Sequence, residues 1–347
     1  MNIAINGFGR IGRAAFKAFL SDARVRAAVA SRPLCPFNIV AINDLTDTKT
    51  LAHLLKYDSC YGIYDKKVDF TADSLVIAGK KYKVLAERDP SQLPWREMEV
   101  DIVLECTGRF TDKEGAGAHI KAGAKKVIIS APAKSDNIKT IVLGVNEDKI
   151  AKNDKILSMA SCTTNCLAPV TEIFRQNFGI KKAIMTTVHS YTADQNIVDG
   201  PHKDLRRARA AAVNIVPTTT GAAIAATKTI PQLKGRFDGM AIRVPTLVGS
   251  LCDIVFISGK KTDEKAVNKA FKQAAESARF KGILEATEEL IVSTDIIGNP
   301  ASAIVDLSLT KVIEGDLVKV IAWYDNEWGY SNRLVDLCEY IGRRKLV

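Results

Sequence analysis

The sequence holds 347 residues, 47% hydrophobic and 25% charged, which excludes a disordered or collagen-like chain, and its length favours two domains over one. Forty-nine Lys and Arg against 39 Asp and Glu leave a net charge of +10. That surplus suits anionic ligands and leaves phosphorylated metabolites and nucleic acid both open, while no apolar run approaches the roughly 18–20 residues that span a bilayer.

A first strand is expected at Asn2–Asn6, followed by Gly7-Phe8-Gly9-Arg10-Ile11-Gly12 and a helix over Ile11–Leu20. In a dinucleotide fingerprint Gly7 allows the tight turn and Gly9 lets the backbone approach the pyrophosphate. Gly12 then permits close helix–sheet packing, and the helix N-terminus faces the anion. With 22 glycines in 347 residues, such a triple arises by chance in roughly a tenth of chains, so the strand–turn–helix setting carries the reading. An acidic residue should end the second strand. Asp44 follows Asn38–Asn43, but it stands 32 residues past Gly12 instead of the usual ~20. The stretch Ser21–Phe37, with Pro33 and Pro36, is then a longer loop. A carboxylate at Asp44 would repel a 2′-phosphate by about 4 kcal/mol at ~4 Å and an effective dielectric near 20, which selects NAD over NADP. The alternative is a surface turn residue.

Helices over Lys49–Tyr57 and Lys113–Ala122, a hairpin of Leu75–Ala78 and Tyr82–Ala86, and strands Asp101–Glu105 and Lys126–Ser130 complete the first half. Continuously apolar strands such as Ile102-Val103-Leu104 imply burial on both faces, so this half reads as doubly wound α/β with a parallel sheet. After Cys162 a helix runs towards Phe178. Strands follow at Ala183–His189, Gly239–Pro245, Leu251–Ser258, Ala303–Leu309 and Leu317–Tyr324, several without an intervening helix, which favours antiparallel pairing. Leu334, Leu337, Cys338 and Ile341 mark a final helix over Glu327–Arg344.

The seven cysteines are Cys35, Cys60, Cys106, Cys162, Cys166, Cys252 and Cys338. An odd number at wide spacing, with no CxxC pair, fits neither a disulfide framework nor a zinc module, so no metal site is expected. The opening residues lack a secretory signal, and a reducing cytoplasmic setting is expected. Ser161-Cys162-Thr163-Thr164-Asn165-Cys166 sits where a helix begins, a position that favours a thiolate. A free cysteine is only about 3% thiolate at pH 7, and lowering its pKa to ~6 takes some 3.4 kcal/mol. The helix end supplies about a third of that, so a partner is needed. Pro169 in the second turn should bend such a helix. Cys162 is thus a candidate nucleophile or a buried structural cysteine, and Cys166 is expected to be structural.

Of four histidines, His53 is expected to be packed in a helix, His119 lies in a charged helix and His202 in a basic loop. His189 ends a strand and is the candidate general base, with a satisfied core histidine as the alternative. Lys203–Arg209 is the densest basic stretch, followed by an expected Ala-rich helix and then Pro217-Thr218-Thr219-Thr220-Gly221. The lack of interleaved aromatics argues against a nucleic-acid patch, and a hydroxyl-rich turn at a helix start fits a small phosphate. A solvated face is the alternative.

Assembled, these segments resemble the phosphorylating, NAD-linked glyceraldehyde-3-phosphate dehydrogenase family nearly end to end. The resemblance rests on Ile5–Arg13, Asn43–Ser59, Glu87–Pro90, Thr107–Phe110, Lys125–Lys134 and Ala160–Pro169. It continues through Thr186–Thr192, His202–Ala212, Pro217–Ala223, Arg243–Thr246 and Trp323–Ser331. The pair ASCTTNC and HSYT is the most specific part. The resemblance implies a Rossmann-type NAD domain at 1–161, completed by the C-terminal helix 326–347, and an α+β catalytic domain at 162–325.

By the same resemblance Cys162 would attack the aldehyde, with His189 as base. Thr192, Arg207 and Arg243 would hold the substrate phosphate, and Ser161, Thr163, Thr220 and Gly221 the attacking inorganic phosphate. NAD would be held at Gly7, Gly9, Arg10, Ile11, Gly12, Asp44, Arg88, Thr107, Ser130, Asn326 and Tyr330. A homotetramer is implied, with the segment around 190–215 reaching a neighbouring subunit and no dedicated nucleic-acid or membrane partner. Departures from the family's pattern are the longer Ser21–Phe37 stretch, Gly200 in place of a common leucine, Leu247–Ser250, and Met159, for which there is no physical account. The alternatives are erythrose-4-phosphate dehydrogenase and a surface or nucleic-acid binding role.

Overall fold

The structure is a computed structural model that describes residues 1–21 and 37–347. The interior of the expected Ser21–Phe37 loop, with Pro33, Cys35 and Pro36, lies outside the described residues. The chain divides into two compact units. One comprises Met1–Ile141, Asp148–Ala160 and Ser331–Val347, the other Val142–Glu147 and Ser161–Tyr330. These bounds differ from 1–161 and 162–325 for local reasons. Ser161 caps the second unit's first helix by accepting from the Thr164 N–H. Val142 and Val145 belong to that unit's core, where Arg279 holds the Gly144 and Val145 carbonyls. Asn326 is tied to Gly249 and Ser250 of the same unit.

The first unit is built on a nine-stranded sheet among the described residues. Its order is Lys139–Thr140, Ile156–Ser158, Lys126–Ile129, Ile102–Glu105, Asn2–Asn6, Asn38–Asn43, Lys80–Leu85, Ser74–Ile77, Val68–Thr71. All neighbours as far as Lys80–Leu85 are parallel, and the last two strands add antiparallel. Ile102–Glu105 and Lys126–Ile129 are buried at every position, as expected of strands covered on both faces. From Asn2–Asn6 the chain builds outward on one side and then crosses to Ile102–Glu105 on the other. Such a reversal opens a ligand crevice at the carboxyl ends of the strands. The hairpin turns on Ala78 and Gly79, both at positive φ (48° and 84°), the conformation that two-residue hairpin loops require. His53, expected to be packed, is instead exposed and lies against Tyr57 at 5.0 Å between ring centroids.

The second unit has a seven-stranded sheet, in the order Val216–Thr219, Phe237–Val244, Ile180–Ser190, Ser250–Ser258, Leu317–Tyr324, Ala303–Ile313, Leu284–Thr287. Four of its six pairings are antiparallel; Ile180–Ser190 with Phe237–Val244, and Leu284–Thr287 with Ala303–Ile313, are parallel. Helices Cys162–Phe178, Ala222–Thr229 and Glu264–Glu276 contribute Leu167, Phe174, Ala226 and Phe271 to its core, against Phe256, Val305 and Val320 of the sheet. The first of these helices passes through Pro169 uninterrupted. Burial on nearly every side offsets the roughly 3 kcal/mol that an interior proline costs. The Ala-rich run after Arg207 forms no α-helix, only a short 3-10 turn at Ala211–Val213. Alanine propensity is too weak to hold a helix there without an apolar face to bury.

Candidate active site

Five expected cofactor residues follow five neighbouring parallel strands of the first unit at their carboxyl ends. Ser130 follows Lys126–Ile129, Thr107 follows Ile102–Glu105, Gly7 follows Asn2–Asn6, Asp44 follows Asn38–Asn43 and Arg88 follows Lys80–Leu85. Gly7 has φ +90°, and a Cβ there would sit 2.7 Å from the Thr107 nitrogen. A Cβ at Gly12 would sit 2.1 Å from the Gly7 oxygen, so both glycines are demanded by packing. A Cβ at Gly9 would meet nothing within 4 Å among the described residues, which is the open approach a pyrophosphate needs. Arg10 and Ile11 open the helix Arg10–Leu20 behind the turn, where first-turn N–H groups have no intrahelical acceptor. The Arg10 side chain itself is paired with Asp58 at 3.2 Å. Asp44 braces the turn by accepting from the Phe8 N–H (2.7 Å) and the Thr46 N–H (2.9 Å).

In the second unit Cys162 is the first residue of its helix, preceded by Ala160 at φ +55°. A left-handed alanine is a strained conformation of the kind that clusters at functional sites. Strand Ile180–Ser190 delivers His189, whose Nε2 lies 3.4 Å from Cys162 Sγ. His189 Nδ1 is 2.6 Å from the Ser190 carbonyl, so Nδ1 carries the hydrogen and donates, and the Nε2 lone pair faces the thiol. Parallel pairing places Arg243 directly beside His189. Its Nη1 donates to the same Ser190 carbonyl at 2.9 Å and lies 2.8 Å from His189 Nδ1. The Arg243 Nε is enclosed and has no hydrogen-bond partner among the described residues. An enclosed cationic donor left unmatched calls for an anion.

Arg207 is gripped by Asp194, by the Thr218 hydroxyl (2.9 Å) and by the Thr219 carbonyl (3.1 Å), with Asp204 at 3.6 Å. Its charge is felt at both His189 and Arg243. Arg209 pairs with Asp199 at 2.9 Å, so two of the cations of Lys203–Arg209 are matched by acids of the same unit. Thr192 sits in the turn that leaves strand Ile180–Ser190, held by Gln195 N–H to its carbonyl. Thr220 and Gly221 precede helix Ala222–Thr229, Gly221 with no neighbour among the described residues where a Cβ would be. Asn326 Oδ1 accepts from the Gly249 N–H (3.1 Å) and the Ser250 hydroxyl (2.9 Å), which leaves its NH2 end to donate. Tyr330 is buried.

Burial dominates the titration of the pair. It pushes the Cys162 thiol up to about 11, with the Arg243 charge and the Thr163 hydrogen bonds pulling the other way. Burial, and then the Arg243 charge, push His189 down to about 3. Cys162 keeps some accessible surface, but the protein around its sulfur is dense. The ligand-free pair therefore leans to neutral thiol and neutral imidazole, against the helix-end argument made from the sequence. The opposing force is their own attraction. Unit charges at 3.4 Å gain about 5 kcal/mol at an effective dielectric near 20. Cys166 is fully buried and its thiol is pushed far up by burial, as a structural cysteine would be.

Sequence reasoning missed Tyr324. Its hydroxyl is 2.9 Å from both Thr163 Oγ1 and Thr187 Oγ1, and its ring lies edge-on to His189 at 5.9 Å. It also missed Asp194 and Thr218, which orient Arg207. Their signal was present only as proximity in sequence to Thr192 and Thr220, since no periodicity marks a hydrogen-bond partner.

Two family models cover most of the chain. One, described as the NAD binding domain of glyceraldehyde 3-phosphate dehydrogenase, matches residues 1–113, and the other, the C-terminal domain of the same enzyme, matches 161–326. The chain belongs to the glyceraldehyde-3-phosphate dehydrogenase family. A glyceraldehyde-3-phosphate dehydrogenase of Streptomyces coelicolor is 54% identical over 345 residues, covering 99% of each chain. That of Geobacillus stearothermophilus is 53% identical over 347 residues, covering 100% of this chain and 99% of its own. One from Mycobacterium bovis is 52% identical over 345 residues, with 99% of each covered. The chain is accordingly an NAD-dependent oxidoreductase whose first unit is the family's Rossmann-type domain.

Proposed function

We propose that the chain oxidises D-glyceraldehyde 3-phosphate to 1,3-bisphosphoglycerate with NAD and inorganic phosphate, through a thioester on Cys162. The observation that carries this reading is the contact of Cys162 Sγ with His189 Nε2 beside an Arg243 whose Nε has no partner among the described residues. Cys162 gives its proton to His189 Nε2 as sulfur bonds the aldehyde carbon, and the resulting alkoxide takes that proton back as a thiohemiacetal. His189 then accepts the hydroxyl proton as the hydride leaves, and a thioester remains. NAD, when bound, supplies the hydride acceptor. Phosphate attacks the thioester and expels Cys162 as thiolate. The Cys162 N–H and His189 stabilise the oxyanion in each step.

Arg243, with Arg207 and Thr192, holds the substrate phosphate, while Ser161, Thr163, Thr220 and Gly221 hold the attacking one. Arg243→Ala is expected to lower kcat/KM about 10- to 150-fold for glyceraldehyde 3-phosphate, the worth of a charge-assisted hydrogen bond, and far less for unphosphorylated glyceraldehyde. Similar losses on both substrates in a steady-state assay would make Arg243 a support of the fold.

The cofactor contacts come from Gly7, Gly9, Arg10, Ile11, Gly12, Asp44, Arg88, Thr107 and Ser130, together with Asn326 and Tyr330. Asp44 would hold the ribose hydroxyls, so kcat/KM for NAD should exceed that for NADP at least about tenfold, a difference of about 1.4 kcal/mol. Asp44→Ala should narrow the gap by harming NAD, and equal efficiencies in the unmutated chain would refute the role.

The chain works in the cytoplasm as a homotetramer. In support, no helix among the described residues is long and apolar enough to cross a membrane, and Cys106, Cys162, Cys166 and Cys252 are free thiols. The sheet face of the second unit opposite its core exposes Ile184 (61%), Met240 (40%) and Ile313 (58%), with Val255 and Ile257 partly exposed alongside. Apolar area of this kind suits a second copy of the chain. Light scattering should return four times the 37.8 kDa chain mass; a monomer would contradict it.

A further inference from the structure

The reaction leaves unused a set of buried polar side chains in the first unit. Glu105, 1% exposed, ends a central strand, and His119 is fully buried beside it. Glu105 Oε2 accepts from Asn6 Nδ2 (2.6 Å) and lies 3.0 Å from His119 Nε2. Glu105 Oε1 accepts from the Thr107 N–H (2.8 Å) and from the Thr107 hydroxyl. The Trp95 indole N–H donates to His119 Nδ1 at 2.9 Å. Indole nitrogen can only donate, so His119 Nδ1 is bare, and its Nε2 carries the hydrogen and donates to Glu105.

A second arm reaches the same carboxylate. Asn43 Nδ2 donates to Asn6 Oδ1 at 2.7 Å and to the Glu87 carbonyl at 2.8 Å, while Asn43 Oδ1 accepts the Glu87 N–H at 2.8 Å. These bonds leave one orientation for each amide, and one chain of donors along each arm, from the Glu87 N–H through Asn43 and Asn6 and from Trp95 through His119, ends on Glu105. The arms tie together the carboxyl ends of four adjacent parallel strands, Ile102–Glu105, Asn2–Asn6, Asn38–Asn43 and Lys80–Leu85. Asn6 precedes Gly7, Asn43 precedes Asp44, Glu87 precedes Arg88, and Glu105 binds Thr107 directly.

We propose that Glu105 is a positioning residue for the cofactor, the common acceptor of a directed hydrogen-bond frame that sets Gly7, Asp44, Arg88 and Thr107 in register. The proposal rests on the cofactor contacts of the preceding subsection. Glutamine has almost the same shape but replaces one acceptor oxygen with a donor. Whichever way it turns, an NH2 faces either Asn6 and His119 or Thr107, and buried donors are left unmatched.

The test is calorimetric NAD binding to the full chain and to Glu105→Gln and Asp44→Ala, with steady-state kinetics alongside. Glu105→Gln should raise the NAD dissociation constant roughly tenfold or more, with the loss falling on KM for NAD more than on kcat. Iodoacetamide labelling of Cys162 without NAD should keep its rate. An unaltered dissociation constant in folded Glu105→Gln, with Asp44→Ala weakened, would overturn the positioning role and leave the cofactor contacts standing. Unaltered binding in Asp44→Ala would overturn the contacts themselves. Should Glu105→Gln fail to fold, nitrogen NMR of histidine-labelled, unmutated protein still decides. Hydrogen on Nε2 of His119 with Nδ1 bare is expected, and hydrogen on Nδ1 would overturn the direction of the frame.

Discussion

Cys162→Ser is expected to abolish phosphate-dependent NADH formation while NAD binding, measured by calorimetry, stays within about twofold of the parent. The serine hydroxyl is a far weaker nucleophile than a thiolate and offers a poor leaving group to the attacking phosphate. The second unit should keep its fold, because the Ser161 cap and the Thr163–Tyr324 hydrogen bond do not involve the sulfur. In the parent chain, stoichiometric iodoacetamide should reach Cys162 before the other cysteines. Cys166, Cys252 and Cys338 are buried, and burial pushes the Cys106 thiol up to about 12. Peptide mapping that found Cys60 or Cys35 alkylated first with activity intact would remove Cys162 from the mechanism.

His189→Asn carries the second large effect, a loss of about 10²- to 10⁴-fold in kcat, the usual worth of a positioned general base. The sign of its pH dependence follows from the electrostatics of the pair. Burial, opposed by the Arg243 charge and the Thr163 hydrogen bonds, holds the Cys162 thiol near 11, and the imidazolium that accepts its proton is what stabilises the thiolate below that pH. In the parent, the thiolate–imidazolium form that the neutral pair reaches as a minor species should sustain labelling of Cys162 well below that pH. In His189→Asn the thiolate loses its counter-charge, so the labelling rate near pH 7 should fall. An unchanged rate near pH 7 would place the activating group elsewhere, with Arg243 the next candidate by proximity.

Much of this arrangement was legible in the residues. The parallel strands announced themselves through runs such as Ile102-Val103-Leu104, since burial on both faces leaves no polar alternation to confuse the reading. The glycine turn was readable because sterics allow few residues there, and Gly7 and Gly12 prove to be pressed against backbone atoms. Short edge strands such as Leu284–Thr287 and Val216–Thr219 escaped, as their few residues carry no period of their own. Pro169 lies inside a continuous helix, because tertiary burial of that helix outweighs a local penalty. The candidate catalytic residues were named by motif, but the neutral lean of the Cys162–His189 pair was hidden. It comes from the density of protein packed around the sulfur and imidazole, which no local spacing encodes. Likewise, His119 read as a helix-face residue until Trp95, 24 positions earlier, was seen to donate to it.

The most direct measurement is NADH absorbance after mixing enzyme, NAD and glyceraldehyde 3-phosphate, with and without inorganic phosphate. Without phosphate, a burst no larger than one NADH per chain should appear and then stall at the Cys162 thioester; with phosphate, turnover should continue in proportion to phosphate below saturation. Continuous turnover at the same rate without phosphate, or no burst at all, would contradict a thioester intermediate on Cys162 resolved by phosphate.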